Sequence, residues 1–340
     1  MRQNKGEDML KKIKFSQYAY VLVFLVILAI YAITNNGLSW SVTTNIFRHS
    51  AVVGIIGIGM GIVVLTGDID LSVGSMLAMI AGFAVIVFNV TDNIFLTLIF
   101  VLFFGALLGL VNGLLVGYVG MPAFIVTLAT MLIYRSLSQY ICQKVDKALI
   151  GNGSSVYKMV SDQPHYQALY DFGNGKFLTI PIVGLVLVAV TALFVYITTG
   201  TKFGKKIYAI GSNANAAAMT GINVKLNRVL VYVIAGMLVG LSAFMWIAMK
   251  GSCDPATTGK SYEMYAIAAV VLGGISMSGG RGRTLGILFG AMSYTVIDKV
   301  IVALKMDSLI NDAIKGAILI IVILLQFMAP AVKDKFRSKK

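Results

Sequence analysis

Residues 94–118 read IFLTLIFVLFFGALLGLVNGLLVGY, a run of 25 residues without a charged side chain. An α-helix needs about 20 mostly apolar residues to cross the hydrocarbon core of a bilayer, so this run predicts a transmembrane helix. Nine further runs fit the same template, at 18–34, 46–65, 71–90, 122–143, 178–199, 229–249, 262–276, 284–304 and 309–329. The sequence therefore indicates an all-α polytopic membrane protein with about ten transmembrane helices.

The composition excludes a water-soluble chain. Of the 340 residues, 58% are hydrophobic and 12% are charged, and the mean hydropathy is +0.86. An ordinary globular chain is about 45–50% apolar and about 25% charged. The net charge of +14 would suit nucleic-acid binding, but the 28 Lys and Arg residues lie mainly between the apolar runs rather than on one face. We therefore expect contact with membrane lipid and none with nucleic acid.

The basic residues predict an orientation, because short cytoplasmic loops retain Lys and Arg. With the N-terminus inside, ten spans place 17 basic residues on the cytoplasmic side and eight on the other, and three lie within runs. Both termini are then cytoplasmic, as basic tails over 1–17 and 330–340 that flank a transmembrane domain over 18–329. The external loop 144–177 is either a plain connection or a docking surface for an extracytoplasmic partner. Residues 200–228 form the main cytoplasmic loop.

Motifs for catalysis are absent from the sequence. ATP hydrolysis needs a G-x-x-x-x-G-K-[ST] phosphate loop, and the nearest stretch, GTKFGKK at 200–206, has the wrong spacing. Two cysteines and two histidines are too few for a disulfide framework or a transition-metal centre. Cys142 and Cys253 are expected to be small buried residues; a disulfide between them is the alternative, because both fall at external ends of spans. We expect no catalytic residue, metal or cofactor in this chain.

A polar turn over 65–75, LTGDIDLSVGS, separates two apolar runs. Ionisable residues within a membrane domain are candidate functional residues, and the glycines of this turn favour a break in the helix. Asp68, Asp70, Ser72 and Ser75 are therefore candidate gate or pathway residues, and the serines offer an N-cap for the following helix. An ordinary interfacial turn, with Asp70 as the cap, is the alternative.

A second glycine-rich turn, LGGISMSGGRGR over 272–283, has a similar order of residues and adds Ser276 and Ser278 to the candidates. Corresponding glycine-interrupted segments in the two halves of a transporter indicate an internal structural repeat with broken or re-entrant segments. Chance similarity between two glycine-rich stretches is the alternative.

Charged residues inside the runs have a structural interpretation. Asp312 and Lys315 stand three residues apart and can pair on one helix face. Arg135 and Lys299 are expected near span ends, where long side chains extend to the membrane interface.

The loop 200–228 contains an alanine-rich segment bounded by an N-cap and a glycine. Asn213 can cap a short helix over 213–220, and Gly221 can end it. A short capped helix between two spans forms a rigid protrusion that suits docking to a soluble partner, whereas a simple linker would not need one. The residues assigned to this helix are Asn213, Ala214, Asn215, Ala216, Ala217, Ala218, Met219, Thr220 and Gly221.

Taken together, four motifs resemble those of permease subunits of bacterial ATP-binding cassette (ABC) importers of the ribose, galactose and xylose type. The motifs are LTGDIDLSVGS (65–75), NGLLVGYVGMPAFIVTLATM (112–131), YAIGSNANAAAMTGINV (208–224) and YEMYAIAAVVLGGISMSGGRG (262–282). They occur in the order expected, and the resemblance extends from about residue 45 to 325.

The resemblance implies a homodimeric or heterodimeric channel of about ten helices per subunit in a bacterial inner membrane. It also implies a sugar-binding protein outside and an ABC ATPase inside that holds ATP and Mg²⁺. It also implies that residues 213–221 form the coupling helix that enters the ATPase. Asp68 departs from the family pattern, in which glycine is more frequent at this position.

Two other classes of function remain open at this point. An ion-gradient-driven secondary carrier would use intramembrane carboxylates, with Asp70 and Asp298 as candidates, and a structural or assembly subunit would transport nothing. Within the importer class, the substrate is a monosaccharide, or else a nucleoside, a polyol, a signalling furanosyl compound or an amino acid.

Overall fold

The computed structural model describes residues 19–35, 37–152, 155–306, 310, 313–318, 320, 321 and 324. Its helices are α1 (Ala19–Thr34), α2 (Trp40–Leu65), α3 (Val73–Thr91), α4 (Ile94–Leu114), α5 (Ala123–Lys144), α6 (Tyr166–Asn174), α7 (Ile182–Gly200), α8 (Lys202–Ser212), α9 (Ala214–Met219), α10 (Val224–Lys250), α11 (Tyr262–Leu272) and α12 (Thr284–Ala303). A π-helical turn over Leu115–Val119 extends α4, and Lys147–Ile150 form a 3₁₀ turn. Two short antiparallel pairs join β1 (Tyr157–Lys158) to β4 (Ser252–Cys253) and β2 (Lys176–Phe177) to β3 (Ile180–Pro181).

Seven helices among the described residues are long and apolar enough to cross a membrane: α2, α3, α4 with its π turn, α5, α7, α10 and α12. The helices α1 and α11 are apolar but shorter. Nine of the ten predicted runs therefore correspond to helices. The tenth, 309–329, is described only in part, so the total of ten and the internal repeat remain predictions.

Helix α2 is the centre of the bundle. Every residue from Ser50 to Thr66 is buried, as expected for a helix that is apolar on all sides. Its glycines allow close neighbours: a Cβ at Gly59 would lie 3.2 Å from the Cα of Ala235 on α10, and one at Gly54 would meet the Leu187 side chain on α7. The remaining helices pack around this buried core.

Helices α4 and α10 pack closely through a row of glycines. Gly105, Gly109, Gly113 and Gly117 recur at every fourth residue, and a Cβ at Gly109 would lie 2.2 Å from the carbonyl oxygen of Tyr232. Small residues at this spacing let two membrane helices bring their backbones together. This contact fixes the position of α10, the helix that follows α9 in the chain.

The outer faces of α4, α5 and α7 are apolar and open to the surroundings. Phe103, Leu132 and Tyr196 are each more than 60% exposed. Apolar patches of this kind mark contact with lipid or with another subunit.

The loop 144–177, which the sequence predicts to be external, is folded. The Tyr157 side chain is fully buried, its hydroxyl donates to the Ser138 carbonyl oxygen at 2.8 Å, and its ring packs on Gly82. The Asn89 side chain accepts from the Val160 N–H and donates to the Leu149 carbonyl. The loop therefore closes one end of the bundle, while a docking role for it remains a prediction.

Candidate functional site at a glycine junction

The two glycine-rich turns and the end of α8 meet at one point, opposite the folded loop. The Gly280 N–H donates to the Leu65 carbonyl oxygen at 3.0 Å. A Cβ at Gly211 would lie 1.9 Å from that oxygen and 2.5 Å from the Gly280 nitrogen, and one at Gly279 would lie 2.9 Å from the Gly67 nitrogen. We call these five residues the glycine junction. Only glycine lets three backbone segments approach this closely.

Helix α9 follows the junction and has the predicted caps. The Asn213 Oδ1 accepts from the Ala216 N–H at 3.0 Å, and Gly221, where φ is +84°, follows the C-cap residue Thr220. The side chain of Ala217 is buried, whereas Ala216 is exposed and Met219 is 89% exposed. The short helix predicted over 213–220 is therefore present, and it presents a small apolar surface on a fixed support.

Helix α8 is anchored at both ends. The Thr201 side chain caps its first turn by accepting from the Gly204 N–H at 3.2 Å. The Tyr208 hydroxyl donates to the Gly282 carbonyl oxygen at 2.9 Å. The α8–α9 unit is thus attached to the 272–283 turn by a hydrogen bond as well as by the junction.

Asp68 forms an ion pair that the sequence analysis did not foresee. Its Oδ2 lies 3.3 Å from the Arg228 Nε, and the two side chains are 10% and 29% exposed. Burial raises the pKa of the Asp68 carboxyl, while Arg228 and a hydrogen bond from Thr66 act against that rise. The pair connects the 65–75 turn to the first turn of α10.

Asp70 lies at the centre of a buried hydrogen-bond network. Its Oδ1 accepts from the Ser72 N–H at 2.8 Å and from the Ser72 hydroxyl at 2.6 Å, and Asn112 Nδ2 donates to the same hydroxyl oxygen at 2.9 Å. Burial raises the pKa of the Asp70 carboxyl, and these hydrogen bonds oppose the rise. Ser72 occupies the N-cap position of α3 but its side chain makes no capping bond. Its predicted capping role is therefore wrong.

The other candidate serines stabilise their own turns. The buried Ser75 hydroxyl donates to the Ser72 carbonyl oxygen at 2.9 Å. The Ser276 N–H donates to the Arg281 carbonyl oxygen at 3.0 Å, and Ser278, which is exposed, donates its N–H to the Ser276 hydroxyl. A gate or pathway role for these serines remains a proposal.

Arg135 does not reach a span end, so that prediction is wrong. Its Nη1 donates to the carbonyl oxygens of Pro255 and Thr258 at 2.9 and 2.6 Å. A Cβ at Gly74 would lie 2.2 Å from the Gly259 carbonyl oxygen. Residues 254–261 therefore form an irregular segment held by α5 and α3, and the free carbonyls of such a segment explain an arginine at this position.

Lys315 and the two cysteines can also be compared with the sequence predictions. The Lys315 ammonium lies 2.6 Å from the Asp298 Oδ1, whereas Asp312, its predicted partner, lies outside the described residues. Cys142 and Cys253 are both buried and free, so the alternative of a disulfide is wrong. Within the described part of the chain, no group of three His, Cys, Asp or Glu residues could hold a metal ion.

Two features of the sequence predict contacts of this kind. The fourfold glycine spacing from 105 to 117 predicts a close helix contact. An unpaired acid at Asp68 requires a nearby base, and Lys225 and Arg228 are the two cations that follow the assigned helix most closely on its C-terminal side.

Comparison with known proteins identifies the family. Residues 42–323 match the family described as branched-chain amino acid transport system / permease component. The ribose import permease protein of Haemophilus influenzae is 32% identical over 95% of this chain and 97% of its own length. The ribose import permease protein of Bacillus subtilis is 35% identical over 83% of each chain, and the D-allose transport system permease protein of Escherichia coli is 30% identical over 90% of each.

No solved structure matches the chain. The matched region includes both glycine-rich turns, α9 and the α4–α10 contact. The resemblance to importer permeases found in the four motifs is thereby confirmed at the level of the family. The chain belongs to the branched-chain amino acid transport system / permease component family, and import permeases for ribose and D-allose are among its relatives.

Proposed function

We propose that this chain is the membrane subunit of an ABC importer that conducts a monosaccharide. In this proposal, an extracytoplasmic binding protein delivers the sugar, a second permease copy or a homologue completes the channel, and a separate ATPase subunit binds ATP and Mg²⁺. The relatives include permeases for ribose, D-allose and fructose, which favours a sugar substrate over the amino acid in the family's name.

The observation that carries this proposal is the position of α9 on the glycine junction. The helix exposes Ala216 and Met219 and is connected through Gly211 to both glycine-rich turns. A partner that binds the exposed surface and changes shape would move both turns together. This is the coupling that an ATP-driven importer needs, because the energy is released on one chain and used on another.

The orientation proposed for the chain places α9 in the cytoplasm, where ATP is available. The excess of basic residues on that side supports it. The folded loop 144–177 then faces outward, where a binding protein would dock.

The proposal is tested by charging the exposed surface of α9. We expect the double variant Ala216→Asp/Met219→Asp, purified in mild detergent, to lose the co-purifying ATPase activity that accompanies the wild type. Buried Ala217 is left unchanged so that the helix keeps its contacts. The matched control is Leu178→Asp, because Leu178 is 88% exposed and lies at the opposite end of the bundle. ATPase activity that persists in the double variant, or that is absent from wild type, contradicts the proposal.

An ion-driven carrier would depend on Asp70 and Asp298. Both carboxylates have close partners, Ser72 for the first and Lys315 for the second, and these contacts account for each group without a transported ion. Uptake that is abolished by dissipation of the ion gradient at constant ATP, and by alanine at either aspartate, would favour the carrier.

A further inference from the structure

Helix α5 carries a strip of polar residues on its exposed surface. Ser136, Gln139 and Gln143 are exposed, and the first two lie near the middle of the helix, as the 14th and 17th of its 22 residues. Every exposed residue of α4, which the structure describes throughout, is apolar. Lipid chains cannot form hydrogen bonds, so polar side chains exposed at this depth face water or another protein surface.

An irregular segment of backbone lies beside this strip. Arg135, which is one helical turn from Gln139, donates to two carbonyl oxygens of residues 254–261. These residues, all of which the structure describes, belong to no helix or strand. Non-helical backbone at membrane depth is tolerated only where it is buried in protein or lines a water-filled cavity. Because Thr257 and Lys260 of this segment are exposed, they fit the second case.

Contacts with α3 and α4 place the segment inside the membrane domain. A Cβ at Gly259 would lie 2.2 Å from the carbonyl oxygen of Gly74, in the first turn of α3. The start of α3 is itself deep, because Asn112 donates to the Ser72 hydroxyl at 2.9 Å and lies seven residues before Val119, the end of the π turn. At 1.5 Å per residue, this is about 10 Å from that end of α4. Lys260 directly follows Gly259, at a depth where a charge facing lipid is expensive.

The irregular segment has a fixed shape. The Asp254 Oδ1 accepts from the Ala256 N–H at 2.9 Å, and its Oδ2 accepts from the Thr257 hydroxyl at 2.6 Å. The Thr258 N–H donates to the Asp254 carbonyl oxygen at 2.8 Å. Together with the two bonds from Arg135, these contacts hold the exposed side of the segment in one position.

Opposite charges are balanced on this part of the surface. Arg135 and Lys260 are basic, and the acidic side chains near Arg135 are Glu263 and Asp254. These four groups carry no net charge, so they offer no excess charge to retain an ion. An amide at Gln139 supplies both hydrogen-bond donors and an acceptor. This chemistry suits an uncharged solute with many hydroxyl groups.

We propose that Ser136, Gln139, Thr257 and Lys260 line the water-filled path of the transported sugar, and this inference rests on the proposed function. We call these four residues the polar wall. The wall is open in a single chain, so the second permease copy of the proposed function closes the path opposite it. Passing sugar hydroxyls exchange water for the side chains of the wall, while the apolar faces of α4 and α5 contact lipid.

The first test measures access to water and needs no substrate. Ser136→Cys and Gln139→Cys are expressed from a plasmid in the native host, in place of its own copy, and exposed to a small charged methanethiosulfonate. This reagent reacts with the thiolate, which forms in water and not in lipid. We expect both variants to react at least about tenfold faster than Leu137→Cys, on another face of α5, and Phe103→Cys, on α4.

The two controls are matched in exposure, because Leu137 is 42% and Phe103 is 68% exposed. Wild type gives the background rate of its two cysteines, which are both buried. The tagged chain is isolated after the reaction, and its remaining free thiols are counted.

The second test asks whether sugar passes along the polar wall. The same cells take up labelled D-ribose, D-allose or D-fructose as probes, before and after treatment with a bulky charged thiol reagent. We expect treatment of Gln139→Cys to lower uptake at least about tenfold, because the adduct fills the path. Treated Leu137→Cys should stay within about twofold of its untreated rate. If Gln139→Cys is inactive before treatment, Ser136→Cys takes its place.

The outcomes separate this inference from the proposed function. If wild type takes up no probe, the proposed function fails, while the reaction rates still decide whether the wall faces water. If Ser136→Cys and Gln139→Cys react no faster than Leu137→Cys, the wall faces lipid or a dry interface and the inference is overturned. It is also overturned if wild type transports a probe and adducts at both positions leave uptake unchanged, in which case the importer assignment stands.

Discussion

The Nε of Arg228 lies 3.3 Å from the Oδ2 of Asp68, across 160 residues of sequence. Asp68 belongs to the 65–75 turn, and Arg228 lies in α10, eight residues after Thr220, which follows α9. The pair is therefore a second connection, besides the glycine junction, between the 65–75 turn and the part of the chain that contains α9 and the start of α10.

We predict that Asp68 and Arg228 are energetically coupled. Asp68→Asn and Arg228→Gln should each lower the unfolding free energy by about 1–3 kcal/mol, because each leaves a half-buried charge without its partner. The double variant should cost less than the sum of the two, with a coupling of about 0.5–3 kcal/mol. Thermal unfolding in detergent compares the stability of the wild type, the two single variants and the double variant. Strictly additive costs would show that the pair contributes nothing.

We predict that asparagine replaces Asp70 better than alanine does. Asn keeps an oxygen that accepts from the Ser72 N–H and hydroxyl, whereas Ala leaves both donors buried without an acceptor. Asp70→Ala should cost about 1–3 kcal/mol more than Asp70→Asn, read as a lower midpoint of thermal unfolding. If Asp70→Asn is as unstable as Asp70→Ala, the carboxylate charge itself is required.

We predict that Gly211→Ala disrupts the glycine junction. The added Cβ would lie 1.9 Å from the Leu65 carbonyl oxygen, so the backbones must separate, at a cost of about 1–3 kcal/mol. ATP hydrolysis by the assembled importer should lose its response to the binding protein. The control is Gly200→Ala, where the Cβ meets only the side chain of Tyr196 at 3.2 Å. If ATP hydrolysis in Gly211→Ala responds to the binding protein as it does in this control, the glycine junction does not contribute to coupling.

We predict that both cysteines are unreactive in the folded protein. Cys142 and Cys253 are buried, and burial raises the pKa of the Cys253 thiol to about 12. The reactive thiolate is therefore scarce between pH 7 and 9. Maleimide should label no thiol in the native state and two after denaturation in SDS, with or without reductant. Fewer than two thiols without reductant would indicate oxidation.

Much of the fold was predictable because apolar runs report directly on membrane helices. The errors lie at polar helix ends: α10 begins at Val224 rather than 229, since the Asn223 side chain caps it by accepting from the Leu226 N–H at 2.9 Å. A template that counts only apolar residues stops at the membrane surface, whereas the helix continues beyond it.

The candidate site was predictable only where its signals are local. Asn213 and Gly221 sit next to the helix that they bound, so their roles could be assigned from spacing alone. The Asp68–Arg228 pair, the contact of Gly211 with Leu65 and the bonds from Arg135 to residues 255 and 258 join distant segments. Neither periodicity nor capping rules contain information about such distances.

The contact between Gly211 and Leu65 has a mechanical consequence. Side chains between two packed helices can change rotamer and absorb a small shift, but peptide groups in direct contact have no such freedom. The hydrogen bond from Gly280 to the same carbonyl oxygen adds the third segment to this contact. We therefore expect a sideways displacement of α8 and α9 to move the Leu65 peptide and, through it, both glycine-rich turns.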